Sequence, residues 1–127
     1  MSFDKVAVQA ANDIRLENIF PPTAWDLAAR KTFPTNSTSI KKCCPKNPFL
    51  GLCEEGLISG INSGQYTRSE LNKSYALRAV EILKRKGDCA PKDFWLEVLR
   101  SLNSNVSKPH NSQMKVVLSL WRANLII

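Results

Sequence analysis

Apolar side chains along this chain return at three- and four-residue steps, and no segment sustains the two-residue alternation of a half-buried strand. A strand turns successive side chains to opposite faces, so a chain without that alternation has no sheet face to bury. The expected fold class is therefore all-α, a compact bundle of five or six short helices. Their brevity and the varied loops between them favour orthogonal over long parallel packing. At 127 residues the sequence reads as one domain, 1–127, large enough for a core without obligatory disulfides or metal.

Local signals divide the bundle. Phe3, Val6, Ala7, Ala10 and Ile14 line one face of a first helix, capped by Ser2 and ended before Pro21. Thr23 with Asp26 imitates a capping box for a second helix that Pro34 stops. Thr35 to Lys46 has a loop's composition. Asn47 as cap and Pro48 at the first helical position, where its missing N–H has no helical partner to lose, predict a third helix to Ile58. Gly51 and Gly56 inside it would each cost about 1 kcal/mol relative to Ala, which close approach of another backbone would explain.

Thr67 with Glu70 predicts the cap of a fourth helix carrying Leu71, Tyr75, Ala79, Ile82 and Leu83, ended by Lys84, Arg85, Lys86 and Gly87. Pro91 opens a fifth, with Phe94, Trp95, Val98 and Leu99. After a polar loop from Asn103 to His110, a sixth runs from about Asn111 to Asn124 with Met114, Val117, Leu118 and Trp121. Trp25, Trp95 and Trp121 all keep helical spacing from other apolar residues and read as core.

Compartment follows from what the sequence lacks. No apolar run approaches the length of a membrane span, and the first ten residues lack the basic start and apolar stretch of an export signal. A soluble, cytoplasmic protein without membrane association is the expectation. Cys43, Cys44, Cys53 and Cys89 are too sparse for a disulfide scaffold and form no C-x-x-C pair.

The charge is uneven. Lys and Arg number 18 against 11 Asp and Glu, a net +7. Positive charge concentrates at Arg30, Lys31, Lys41 and Lys42 and again at Lys84, Arg85 and Lys86. Were these to converge, they would form a phosphate-attracting patch, and nucleic acid is accordingly one partner to consider. A helix-turn-helix made from the last two helices fits poorly, because Asn103 to His110 is longer than the usual turn. Gln113, Lys115 and Arg122 are its only plausible readers.

Two stretches are unusual: Cys44-Pro45-Lys46-Asn47-Pro48-Phe49-Leu50-Gly51-Leu52-Cys53-Glu54-Glu55-Gly56 and Lys108-Pro109-His110-Asn111-Ser112-Gln113-Met114. In these strings the chain resembles a family of small bacterial proteins known only as a domain of unknown function, marked by Cys-Pro-Lys, Phe-Leu-Gly-Leu-Cys-Glu-Glu-Gly and His-Asn-Ser-Gln-Met segments. The resemblance spans roughly Ala24 to Ile126 and implies kinship without an activity, substrate or cofactor. Lys115 departs from it, standing where an acidic residue would be expected.

Residue chemistry then offers several readings. Lys46, Glu54, Lys73, Tyr75, His110, Asn111 and Gln113 can line a polar ligand pocket. Cys44, Cys53 and His110 are a zinc-like donor set, and Cys44 with His110 is a nucleophile and base pair, although neither has the flanking signature of a known cysteine hydrolase. The plain alternative is structural: Asn47 and Asn111 cap helices, the glycines permit close packing, and Cys53 is a small buried hydrophobe. The reading adopted is a basic binding or interaction protein without catalysis or cofactor, its partner a protein or small molecule. The apolar end Leu125, Ile126 and Ile127 either docks on the domain or meets a second copy in a homodimer.

Overall fold

The computed structural model describes residues 3–108 and 112–127, excluding the side chains of Ser37, Ile40, Cys43 and Cys44. It is all-α. The elements are α1 (Phe3–Glu17), α2 (Pro21–Thr32), the single turn α3 (Ser37–Ile40), α4 (Cys43–Glu54), α5 (Glu70–Lys86), α6 (Pro91–Ser101) and α7 (Gln113–Arg122). Among the described residues, no helix is long and apolar enough to cross a membrane.

The apolar periodicity becomes a continuous core. α1 packs on α2 through Phe3, whose ring lies 5.0 Å from Phe33 and stacks with Trp25 at 6.4 Å. Trp25 continues to Phe49 of α4, 5.2 Å between centroids, and α4 packs on α5. α7 touches α1, α4, α5 and α6, which is why Val116, Val117, Leu118 and Leu120 are all fully buried on so short a helix. Trp25 and Trp95 are core residues as expected, and Trp121 is half-buried against the core. The Trp95 indole N–H donates to the Lys108 carbonyl at 2.9 Å; that of Trp25 has no partner among the described residues.

Several helix starts differ from the expectation. α2 begins at Pro21 with Phe20 as its uncapped flank, because two prolines suit the first turn, so Thr23 caps nothing. α4 begins four residues before Asn47, leaving Pro48 inside the helix, and ends at Glu54 rather than Ile58. α5 is capped by Ser69, whose hydroxyl accepts from the Asn72 amide at 3.3 Å; Thr67 instead accepts from the Ser69 amide at 3.1 Å. α7 begins at Gln113 after Ser112 in a left-handed conformation. Ser2 and Asn111, the other expected caps, lie outside the described residues.

Helix ends are more regular. After α4, Gly56 at φ 69° donates to the Cys53 carbonyl and Leu57 to that of Leu52, the two bonds of a Schellman motif. Asn103 and Asn124, both at positive φ, end α6 and α7 in the same way. Gly56 thus serves a turn, whereas Gly51 serves packing: a Cβ there would lie 3.0 Å from Lys73 Cα on α5.

The chain's end is docked. Leu125 is buried, Ser59 donates to the Leu125 carbonyl at 2.7 Å, Ile127 donates to that of Leu57 at 2.9 Å, and Ile58 faces Ile126 in an isolated antiparallel bridge.

Candidate functional site

The conspicuous polar stretch of α4 builds a clamp. Gly51 lets α5 approach closely, which brings Lys73 beside the last turn of α4. Lys73 Nζ lies 2.5 Å from Glu54 Oε2 and 2.7 Å from Glu55 Oε1. The other Glu54 oxygen accepts from the Tyr66 amide at 2.8 Å and the Thr67 amide at 3.3 Å. Thr67 donates its hydroxyl proton to Asn47 Oδ1 at 2.9 Å. The loop between α4 and α5 is thereby fastened to both helices.

A hollow of about 400 Å³ opens beside this clamp, lined by Glu54, Glu55, Glu70, Thr67 and Lys73 among others. The Lys73 ammonium stands where an added cation would sit. The hydrogen bond from Lys73, with those from the two loop amides, holds the Glu54 carboxyl below the usual range, and the same two carboxylates raise Lys73 above its own. Neither group is tuned to exchange protons near neutrality.

A second site lies between α6, α7 and the loop joining them. Ala90, Pro91, Trp95, Leu96 and Val106 wall a groove of about 550 Å³, and Lys92, Lys108 and Lys115 stand around it. None of these lysines has a carboxylate within ion-pair distance among the described residues, and no Asp or Glu lines the groove. Lys108 Nζ donates to the Tyr75 hydroxyl at 2.5 Å and lies 4.9 Å from that ring's centre. Tyr75 is buried and meets Trp95 edge to face, 5.0 Å between centroids. The site is apolar in its walls and positive at its rim.

A family model described as a family of unknown function (DUF6979) matches residues 1–127. The chain belongs to that family. No curated protein and no solved structure matches it.

The residues singled out from sequence therefore separate within this family fold. Glu54 and Lys73 meet in the clamp. Lys46 pairs with Asp26 at 2.9 Å and ties α4 to α2. Tyr75 does not line the groove but accepts from Lys108, which does, and Gln113 is buried at the start of α7. His110 and Asn111 lie outside the described residues, as does the Cys44 side chain, so the Cys44 and His110 pair is not placed. Cys53 is fully buried, and desolvation pushes its thiol well above the ordinary range, leaving it a small hydrophobe rather than a thiolate ligand.

The basic candidates also divide. Arg85 and Lys86 share Glu97, at 3.3 and 2.9 Å. Arg30, Lys31, Lys42 and Lys84 are exposed, and Lys42 lies 5.9 Å over the Phe3 ring. Lys41 is exposed beside Lys42. Arg122 is exposed and paired with Asp88 through bonds of 2.7 and 2.8 Å, while Gln113 is only 2% exposed, which leaves Gln113 too buried to read a nucleic-acid groove.

Sequence reasoning missed Lys92, Trp95, Leu96, Val106 and Lys108 as site residues. One signal was available: Val106 is an isolated apolar residue in an otherwise polar loop, and it is 45% exposed.

Proposed function

We propose that the protein is a non-catalytic binding protein of the cytoplasm whose binding site is the groove between α6 and α7. The observation that carries this reading is the conjunction of apolar walls with three lysines lacking carboxylate partners among the described residues. Its volume of about 550 Å³ falls in the ordinary range of ligand sites, and a few polar groups among apolar walls is their usual composition. A one-signed rim raises the local concentration of anions and disfavours cations.

The test is titration with 1-anilinonaphthalene-8-sulfonate, an anionic aromatic dye. Saturable dye fluorescence is expected, lost in Val106→Asp and Leu96→Glu variants that fold normally by circular dichroism. Absence of saturable binding to the unmodified chain would sink the reading.

Nucleic-acid binding is the second reading, favoured by the exposed Arg30, Lys31, Lys42 and Lys84. It requires affinity for random duplex that falls steeply with salt. Undetectable binding at low salt removes it.

A further inference from the structure

We infer that the occupant of the groove is a small apolar carboxylic acid whose carboxylate sits on Lys108; this rests on the groove being the binding site. Lys108 differs from the two rim lysines in how it is held. Its carbonyl accepts from the Trp95 indole at 2.9 Å and its ammonium donates to the Tyr75 hydroxyl at 2.5 Å, so both ends of the residue are fixed before any ligand arrives. A free lysine loses much rotamer freedom on binding an anion, and here much of that freedom is already lost before binding. An ammonium has three donors, and Tyr75 takes one as a neutral acceptor, leaving Lys108 without a carboxylate partner among the described residues. Lys92 and Lys115 are exposed and have no such anchors among the described residues.

One fixed cation beside apolar walls matches a monoanion with an apolar body. Among the described residues only the rim lysines would receive a phosphate, whose remaining charged oxygens would face Ala90, Pro91, Leu96 and Val106. The alternative of a docked amphipathic helix is disfavoured by length. The α6 contribution runs from Pro91 to Leu96, about 7.5 Å at 1.5 Å per residue, whereas the i and i+7 anchors of a helix lie about 10.5 Å apart.

The experiment follows the Trp95 indole N–H in ¹⁵N-labelled full-length protein during titration with sodium octanoate, octan-1-ol and an acidic amphipathic peptide. Octanoate is expected to shift that resonance and bind at least tenfold more tightly than octanol. Lys108→Met should weaken octanoate about tenfold, the scale of one charge-assisted hydrogen bond, and leave octanol unchanged. Should Lys108→Met fail to fold, a salt series on the unmodified chain asks the same question, since octanoate must weaken with salt and octanol must not. Equal binding of octanol and octanoate, or indifference of octanoate to both Lys108→Met and salt, overturns the acid and leaves the groove standing. Saturation by the peptide where octanoate fails also overturns it, in favour of a protein partner. If no probe moves the Trp95 resonance, the groove itself is refuted as a binding site.

Discussion

Glu54 joins a helix, a loop and a second helix through one carboxylate, and its side chain is only 10% exposed. Removing it in Glu54→Ala leaves two loop amides without their acceptor and Lys73 with Glu55 alone. That should cost about 2 to 3 kcal/mol in urea unfolding. Glu54→Gln keeps an acceptor and should cost less. The pH dependence has a definite sign. Because Lys73 foremost, then the Tyr66 and Thr67 amides, depress the Glu54 carboxyl in the folded state, its contribution is complete above the unfolded value near 4.5. It fades as acid protonates the folded carboxyl. The gap between wild type and Glu54→Gln should be constant from about pH 5 to 7 and close below that. Gly51→Ala tests the close approach beneath the clamp: helix propensity gains up to about 1 kcal/mol, but the new methyl meets α5 backbone at 3.0 Å, an overpacking cost of about 1 to 3. A net loss in melting temperature is expected. Of these residues, Gly51 was conspicuous in sequence because a glycine inside a helix needs a reason, and Glu54 was a candidate only as part of a polar pocket. Their partner Lys73, nineteen residues after Glu54, had no local pattern to mark the pairing.

Helix ends were easier to read than helix starts, and the reason is physical. An end in a left-handed residue favours glycine or asparagine, so Asn103 and Asn124 mark the ends of α6 and α7, whereas Gly56, which ends α4, reads as interior to a helix continuing to Ile58. A start can be capped by any of several hydroxyl or amide side chains in series, and around α5 Thr67 and Ser69 compete. Ser69→Ala should cost about 1 kcal/mol of stability in urea unfolding, the ordinary value of an N-cap. A silent substitution would return the capping role to Thr67. α4 misled by its prolines. Pro45 lies in the first turn, where an amide proton has no helical partner, and Pro48 sits further in, at the expense of one helical bond. Tertiary ties on either side, Lys46 to Asp26 and Asn47 to Thr67, hold that turn in place. Such ties come from residues twenty positions away and override the local preference that made Pro48 resemble a first residue.

At the scale of the molecule the class was legible and the site was not. The all-α fold follows from periodicity alone, but the groove is assembled from residues 90–96, 106–108 and 115, which share no motif and meet only because α7 lies across α6. The chain's end illustrates the same dependence on global packing. Sequence left two fates open for Leu125 to Ile127, docking or a second copy. The structure docks the first two and leaves Ile127 63% exposed. Truncation after Asn124 removes a buried leucine, worth about 1.5 to 3 kcal/mol. It also removes the backbone bonds from Ser59 to Leu125 and from Ile127 to Leu57, and the Leu125 amide that completes the α7 end. A loss of about 3 kcal/mol in urea unfolding with an unchanged mass in analytical ultracentrifugation is expected. A drop in mass would instead assign the exposed Ile127 to an interface between copies, and unchanged stability would mean that the 57–59 segment gains nothing from its antiparallel partner.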